Sequence, residues 1–501
     1  MIRAGTYSPI LLGNLVLLLN LGPVACQDNI DSVAEFNAKA SSAPSKGKKN
    51  PPAAGIAWEV ELYFRTYSSP RLFVGSDSAR ILIAFGDEAP RAGGAFAVDV
   101  ATGERRWSIA TTDELFALPT PLTPRANGQQ PWIFSGRDGQ LRVVDGDTGD
   151  ELWHFRPFGD EGRLAGIYNF YSGREFGDVN GDGVVDYLVT NGGDSRRAPG
   201  ESRPAGHLMV LSGMDGSIIH QLRVPSGHET YCSPLIWPLM DKEWVVFGTG
   251  GETSAGSLWG VPADSVRKGT LSGIRSLISS KEQKGFIAPP SFADLDSDGL
   301  LDLIATPFDG RLIVISGSSM KALWTFASSD EEETQASPAV GDFDGDGDLD
   351  IVAVAHKGVF PQWQGAAVRA FDGATGTQLW EYSVHGDLMP PSPLAADMDA
   401  DGCDEIFFVE SEPGYFMGQA SRSRLQVVHV EEDRIETLAE IDGLSASSGW
   451  IGDADGDGWL EWFVPLSKIG RGGLMRYDLG RPVPDKIAWG GYLGTKHDGK
   501  Y

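Results

Sequence analysis

The residues best suited to chemistry are five nine-residue runs in which carboxylates recur at every second position. They begin at Asp178 (DVNGDGVVD), Asp294 (DLDSDGLLD), Asp342 (DFDGDGDLD), Asp397 (DMDADGCDE) and Asp453 (DADGDGWLE). Positions 1, 3 and 5 are Asp178, Asn180 and Asp182; Asp294, Asp296 and Asp298; Asp342, Asp344 and Asp346; Asp397, Asp399 and Asp401; and Asp453, Asp455 and Asp457. Position 9 is Asp186, Asp302, Asp350, Glu405 or Glu461, so the last two copies carry the longer acid. Position 7 (Val184, Leu300, Asp348, Cys403, Trp459) completes the ligand list. Position 6 is always glycine, free to take the positive φ that folds carboxylates inward around a point. Bare carboxylates this close repel one another, and a hard cation such as Ca²⁺, with about six to eight oxygen ligands at irregular geometry, relieves them. The expectation is about five Ca²⁺ sites.

An EF-hand would need a bidentate Glu at position 12 and flanking helices. Position 12 is Val189, Ala305, Ala353, Phe408 and Val464, apolar each time. Each loop runs instead into a short apolar, β-rich stretch (YLVT, LIAT, IVAV, IFFV, WFVP), which reads as a buried strand.

A second phrase lies between the loops. It reads AVDVATGERRW at 97–107, VVDGDTGDELW at 143–153 and AFDGATGTQLW at 370–380, with weaker copies at 210–220 and 314–324. Each is a strand, a tight turn and a strand bearing an aromatic residue, and the tryptophans are expected to pack between neighbouring units. Joined to the loops, these phrases give a four-stranded unit at a period of roughly 45–60 residues, the signature of a propeller blade. The fold expected is all-β, a single propeller of eight blades near 70–111, 117–157, 168–225, 230–280, 285–328, 334–384, 387–443 and 445–495. Seven is the alternative if 57–67 completes the last blade. Blades 1, 2 and 4 lack the carboxylate set; in blade 4, 238–243 (PLMDKE) looks like a decayed loop.

The ends and the composition set the context. Residues 1–25 read as a signal peptide with an apolar core over 10–21, and 26–57 as a disordered tether with a lipid-anchor candidate at Cys26. The propeller is assigned to 58–501. The net charge of −28 is partly local to the loops and argues against nucleic acid as a partner. Only Cys232 and Cys403 lie in the propeller itself, in different repeats, so no disulfide framework is implied. A monomeric, secreted or extracytoplasmic protein is expected, touching a membrane only through an anchor at Cys26.

The F-G-D-x-[DN]-x-D-G phrase from Phe176 onward resembles the FG-GAP or VCBS-type repeat, the calcium-loop propeller of integrin α heads. The Asp99–Thr102–Gly103–Trp107 phrase is similar to the tryptophan-docking motif of eight-bladed quinoprotein dehydrogenases. The resemblance covers nearly all of 69–495. It implies a calcium-stabilised propeller, and the quinoprotein likeness speaks for packing.

With the calcium loops and Thr-Gly turns at one end of each blade, the longer connections open at the other. There, 191–207 carries Arg196, Arg197 and Arg203; 356–365 carries Trp363; and 411–424 carries Tyr415, Phe416, Arg422 and Arg424. Tyr168, Phe170, Tyr171, His228, Tyr231 and His385 fall in inter-blade loops on the same side. Cations and aromatics on one rim of an acidic protein suggest a glycan or protein ligand. The first function class is therefore a binding or adhesion module. The second is a polysaccharide lyase for an acidic glycan, for which His207, His228, His385, Tyr231 and Arg197 supply parts without a motif linking them. The third, a quinoprotein dehydrogenase, is weakened by the missing adjacent cysteine pair.

Overall fold

Each short apolar run beside a carboxylate loop becomes the second strand of a four-stranded antiparallel sheet, and eight such sheets make the ring. In this computed structural model the described residues are 51–501, apart from 63, 89–90, 138, 156–167, 195–196, 198–200, 226, 241, 282, 329–330, 361, 385–390, 413–421 and 469–470. The signal-peptide and anchor assignments, with Cys26, Arg196, His385, Tyr415 and Phe416, lie outside the described residues.

Blade 6 shows the plan. Ala339–Gly341 is the inner strand, followed outward by Asp350–Val359, Gln362–Asp372 and Gln378–Val384. The inner strand is buried throughout, whereas the outer one is only partly buried, with Trp380 and Val384 buried and Gln378 and Glu381 exposed. Apolar faces of adjacent blades close on each other. Val354, Val368 and Trp380 of blade 6 share one core cluster with Phe408 and Val428 of blade 7.

The eighth blade is closed by the other end of the chain. Trp450–Gly452, Trp459–Lys468 and Arg471–Pro482 are its three inner strands, and Gly55–Leu62 pairs with the last as the fourth. The sequence reading tied this use of the N-terminal segment to a seven-blade ring. In fact the segment does complete the last blade, and the count is eight, because the C-terminal part of that blade supplies only three strands. Pairing first to last completes the four strands of this blade and closes the ring. Residues past 482, expected to finish blade 8, turn instead to the ring axis.

There the tail touches inner strands around the ring. Trp489 exchanges backbone hydrogen bonds with Ala395 of blade 7, Ile451 N–H of blade 8 donates to Gly490, and Phe292 N–H of blade 5 donates to Gly499. Leu493 packs with Leu235 of blade 4, and Arg174 of blade 3 donates to the His497 carbonyl oxygen. Trp489 and Leu493 are fully buried, so the axis is filled by the chain itself.

In blade 4 the first hairpin closes tightly after Leu239, with Met240 at φ 51°, and a five-residue helix, Ala263–Arg267, follows the third strand. Among the described residues no helix is long and apolar enough to cross a membrane.

Candidate metal centres

The five loops share one hydrogen-bond plan, which follows from where their acids sit. The position-1 carboxylate accepts from the position-6 N–H: Gly183 to Asp178 at 2.9 Å, Gly299 to Asp294 at 2.9 Å, Gly347 to Asp342 at 3.1 Å, Gly402 to Asp397 at 3.2 Å and Gly458 to Asp453 at 3.0 Å. Position 5 accepts from the position-7 N–H: Val184 to Asp182, Leu300 to Asp298, Asp348 to Asp346 and Cys403 to Asp401, each at 2.9 Å, and Trp459 to Asp457 at 3.1 Å. Position 9 stands at or beside the start of the second strand and accepts from the position-2 N–H, at 2.6 Å for Asp186, 2.9 Å for Asp302, 2.8 Å for Asp350, and 2.7 Å for both Glu405 and Glu461. Each acid is thus braced by backbone N–H groups, the position-1 aspartates through both oxygens, as in Asp342, which accepts from Gly345 and Gly347.

In three loops the donor atoms lie within 4.8 Å of one another: Asp294, Asp296 and Asp302; Asp342, Asp344 and Asp350; Asp453, Asp455, Asp457 and Glu461. These clusters are able to hold a metal ion. Electrostatics points the same way. Burial, opposed by backbone hydrogen bonds and reinforced by neighbouring loop carboxylates, pushes Asp350 up to about 7 and Glu405 and Glu461 up to about 8. Asp186 and Asp302 are raised for the same first cause. A cation in the loop would reverse that penalty.

Two features of the loops lie outside the position list drawn from sequence. Position 4 also takes a positive φ: Gly181 at 77°, Gly345 at 76° and Gly456 at 70°, but Ser297 at 57° and Ala400 at 64°. The signal was the G-D-G spelling of three copies. The second is the residue paired across the sheet from position 9, at the entry to the turn of the second phrase. It is Asp372 opposite Asp350 and Asp478 opposite Glu461. One step beyond the Tyr187–Leu211 and Leu303–Ile315 pairs come Ser212 and Ser316, and one step beyond Ile406–Val428 comes His429. Gly213 N–H donates to Asp186 at 3.1 Å and Gly317 N–H to Asp302 at 2.8 Å, so loops and turns do share one end of the blade.

Blade 8 differs again. Its Arg476 stands 3.1 Å from Asp455 Oδ2 and 3.3 Å from Glu461 Oε1, a fixed cation beside two metal donors. In blade 1, without a loop, Arg80 pairs across the sheet with Asp99 in the position that an acid holds elsewhere, bonded to Asp77 and Asp147.

The turns also lock blade to blade. Trp107 Nε1 donates to Gly146 O at 2.8 Å, Trp153 to Gly213 O at 2.9 Å, Trp324 to Gly373 O at 2.7 Å and Trp380 to Asp433 Oδ1 at 3.0 Å. A Cβ on Gly149 would lie 2.8 Å from Trp107, so the glycine serves both its φ of 77° and the indole laid upon it.

At the opposite end the candidate ligand residues are placed as follows. Arg203, 4% exposed, pairs with the equally buried Glu229 at 3.5 Å. Arg424 faces Glu410, Glu412 and Glu440 and lies in the strand Arg422–His429, not in a loop. Trp363 belongs to the hairpin of Asp350–Val359 and Gln362–Asp372; it stacks on His356 at 3.7 Å and donates to Glu333 at 2.8 Å. The strands run on here because their alternation persists past the blade core. Arg197, 52% exposed and 3.7 Å from Asp194, and Arg422, also exposed, face solvent. Tyr171 and Tyr231 meet edge to face at 5.9 Å, and burial first, then Glu252, raises the Tyr231 phenol well above its usual value. His207 is half-buried, 3.4 Å from Asn191 Oδ1.

Comparisons with known proteins agree with this geometry. A stretch of the human protein FAM234B is 29% identical over 143 residues, which is 26% of this chain and 20% of that protein, so the chain spans about a fifth of the relative's length. The quinohemoprotein alcohol dehydrogenase of Comamonas testosteroni is similar in structure at a TM-score of 0.55 and 12% identity, over 86% of this chain and 78% of that one. A europium-containing methanol dehydrogenase is similar at a TM-score of 0.51 and 11% identity, over 88% and 86%. At such identities the likeness extends to the fold, an eight-bladed ring. The FG-GAP-like repeat matches residues 294–353, which hold the second and third loops, and the chain is an eight-bladed β-propeller with an FG-GAP-like repeat over that stretch.

Proposed function

We propose that this protein is an extracytoplasmic binding module whose blades are organised by calcium and whose ligand, a glycan or a protein, docks at the end opposite the loops. The observation that carries the calcium reading is the repeated bracing plan. Five loops hold their acids by the same backbone N–H groups, donor atoms in several of them lie within 4.8 Å of one another, and all-oxygen sets of irregular geometry suit Ca²⁺ over Mg²⁺. A short apolar segment at 10–21 supports export, where calcium is plentiful.

The binding reading rests on the axis. A ring that catalyses at its centre needs an open concavity for a small substrate, and here Trp489, Leu493 and His497 fill that space. What remains is a broad rim of long connections, suited to a macromolecule. Much of its charge is already paired internally, and the exposed Arg422 and Arg197, the latter only 3.7 Å from Asp194, are the guanidinium groups left facing solvent as contacts for an anionic group.

The test is a glycan and protein array probed with residues 51–501 and with the Arg197→Ser/Arg422→Ser double variant. Binding that weakens in the variant and in added salt, at an unchanged melt, agrees with the proposal. Binding that survives the variant, yet is abolished by Asp342→Asn in protein that melts normally, would put the ligand at the loop end.

A further inference from the structure

The loop of blade 7 departs from the other four in one donor. Across the sheet from position 9 stand Ser212, Ser316, Asp372 and Asp478, all oxygen side chains, but blade 7 has His429. Its Nδ1 lies 3.1 Å from Glu405 Oε1 and 3.9 Å from Asp399 Oδ2, and one donor atom from each of the three residues falls within 4.8 Å of the others. Glu405 is 0% and His429 1% exposed. Despite the 3.1 Å separation, Glu405 Oε1 has no hydrogen-bond partner, and neither has His429 Nε2. Glu405 Oε1 is thus a buried carboxylate oxygen left without a partner beside His429 Nδ1, while the unpartnered Nε2 lies on the other side of the ring.

A metal ion held between Glu405 Oε1 and His429 Nδ1 would satisfy that oxygen. Imidazole with two carboxylates is a borderline donor set that suits zinc-type divalent ions, whereas the all-oxygen loops suit Ca²⁺. The surroundings fit this role. Glu436 Oε2 sits 3.7 Å from Nε2 on the far side of the ring. A carboxylate behind a ligating imidazole selects the tautomer that leaves Nδ1 free to bind. Ala400 accepts a φ of 64° to turn this loop as glycine turns others, so the loop keeps the common shape and only its donor chemistry changes.

We infer that the blade 7 site, formed by Asp399, Glu405 and His429, binds a zinc-type divalent transition ion in preference to Ca²⁺. This rests on the reading of the loops as metal sites. The test uses the chain stripped by chelator, re-equilibrated with 1 mM Ca²⁺ and a few micromolar Zn²⁺, freed of unbound ions and analysed for metal content. One Zn²⁺ per chain is expected beside several Ca²⁺. His429→Ser, which installs the residue of blades 3 and 5, should lose that Zn²⁺ at least tenfold while keeping the Ca²⁺ count of the other loops. In the unmutated chain, Co²⁺ offered in place of Zn²⁺ should give a visible absorption band saturating at one equivalent, and this readout does not depend on how any variant folds. Parent protein that retains Ca²⁺ but neither Zn²⁺ nor Co²⁺ would overturn the inference and leave the calcium reading standing. So would a folded His429→Ser variant that keeps its Zn²⁺. Protein that retains no metal at all would overturn both.

Discussion

Trp58 Nε1 donates to the carbonyl oxygen of Val100 at 2.9 Å, joining the outer strand of blade 8 to the turn of blade 1. A Cβ on Gly103 would lie 2.9 Å from the same indole, so Trp58 repeats at the seam the lock that Trp107, Trp153 and Trp324 make between consecutive blades. The seam is therefore closed by the contact that joins the rest of the ring.

Removing that lock should cost what removing an internal one costs. Trp58→Ala is expected to destabilise by roughly 2–4 kcal/mol, and Trp107→Ala by a similar or slightly larger amount because it is more deeply buried. Urea unfolding of both variants checks this. A Trp58 variant as stable as the parent would mean that the N-terminal strand does not hold the ring shut.

The position-4 residues of two loops work against their backbone. Ser297 and Ala400 occupy the left-handed region that glycine fills in the other three copies. Ser297→Gly and Ala400→Gly should each stabilise the protein by roughly 0.5–1 kcal/mol, since the relief of strain exceeds glycine's entropy cost there. Thermal melts in saturating calcium report it, and a loss of stability would show that these loops are not strained.

His356 couples the rim to pH. Stacked on Trp363 and buried, its imidazole is pushed down to about 3 by loss of solvent. The folded value lies below the unfolded one, so the unfolded chain takes up the proton first. Stability present above about 6.5 is then lost as pH falls toward the folded value. Between pH 7 and 4 this site should remove on the order of 3 kcal/mol. His356→Gln should show a shallower loss over that interval, and equal acid sensitivity in parent and variant would refute the assignment.

Blade 8 should be the weakest calcium site. Arg476 beside Asp455 and Glu461 repels an incoming cation and neutralises part of the loop. Asp453→Asn with Asp457→Asn should reduce the calcium-dependent rise in melting temperature less than Asp342→Asn with Asp346→Asn does. The reverse order would show that the guanidinium yields to the ion.

Most of the ring was legible in the sequence because the same local physics is spelled many times. The loop acids, the glycine at position 6 and the turn tryptophans recur, and each recurrence fixes a blade. What was not legible depends on partners far apart in sequence. Trp58 lacks the Thr-Gly spelling because its turn belongs to blade 1, reached only when the ring closes. The run 487–501 carries no repeat, since it answers to the inner strands of several blades at once. His429 sits twenty-four residues past its loop partner Glu405, where only strand register brings the two together. The partners of the rim residues were hidden for the same reason: Arg203, Arg424 and Trp363 are conspicuous in sequence, but the acids that engage them, Glu229, Glu410 and Glu333, lie elsewhere along the chain.

The central claim is that bound calcium organises the blades, and the melting temperature measured with and without the ion tests it most directly. Each loop saturated at about a hundredfold over its dissociation constant contributes roughly 2.7 kcal/mol, and several loops act together. Exhaustive chelation should lower the melting temperature by about 10 °C or more, Ca²⁺ should restore it, and Mg²⁺ at the same concentration should restore little. A melt unchanged by chelation, or recovered equally by Mg²⁺, would contradict the account.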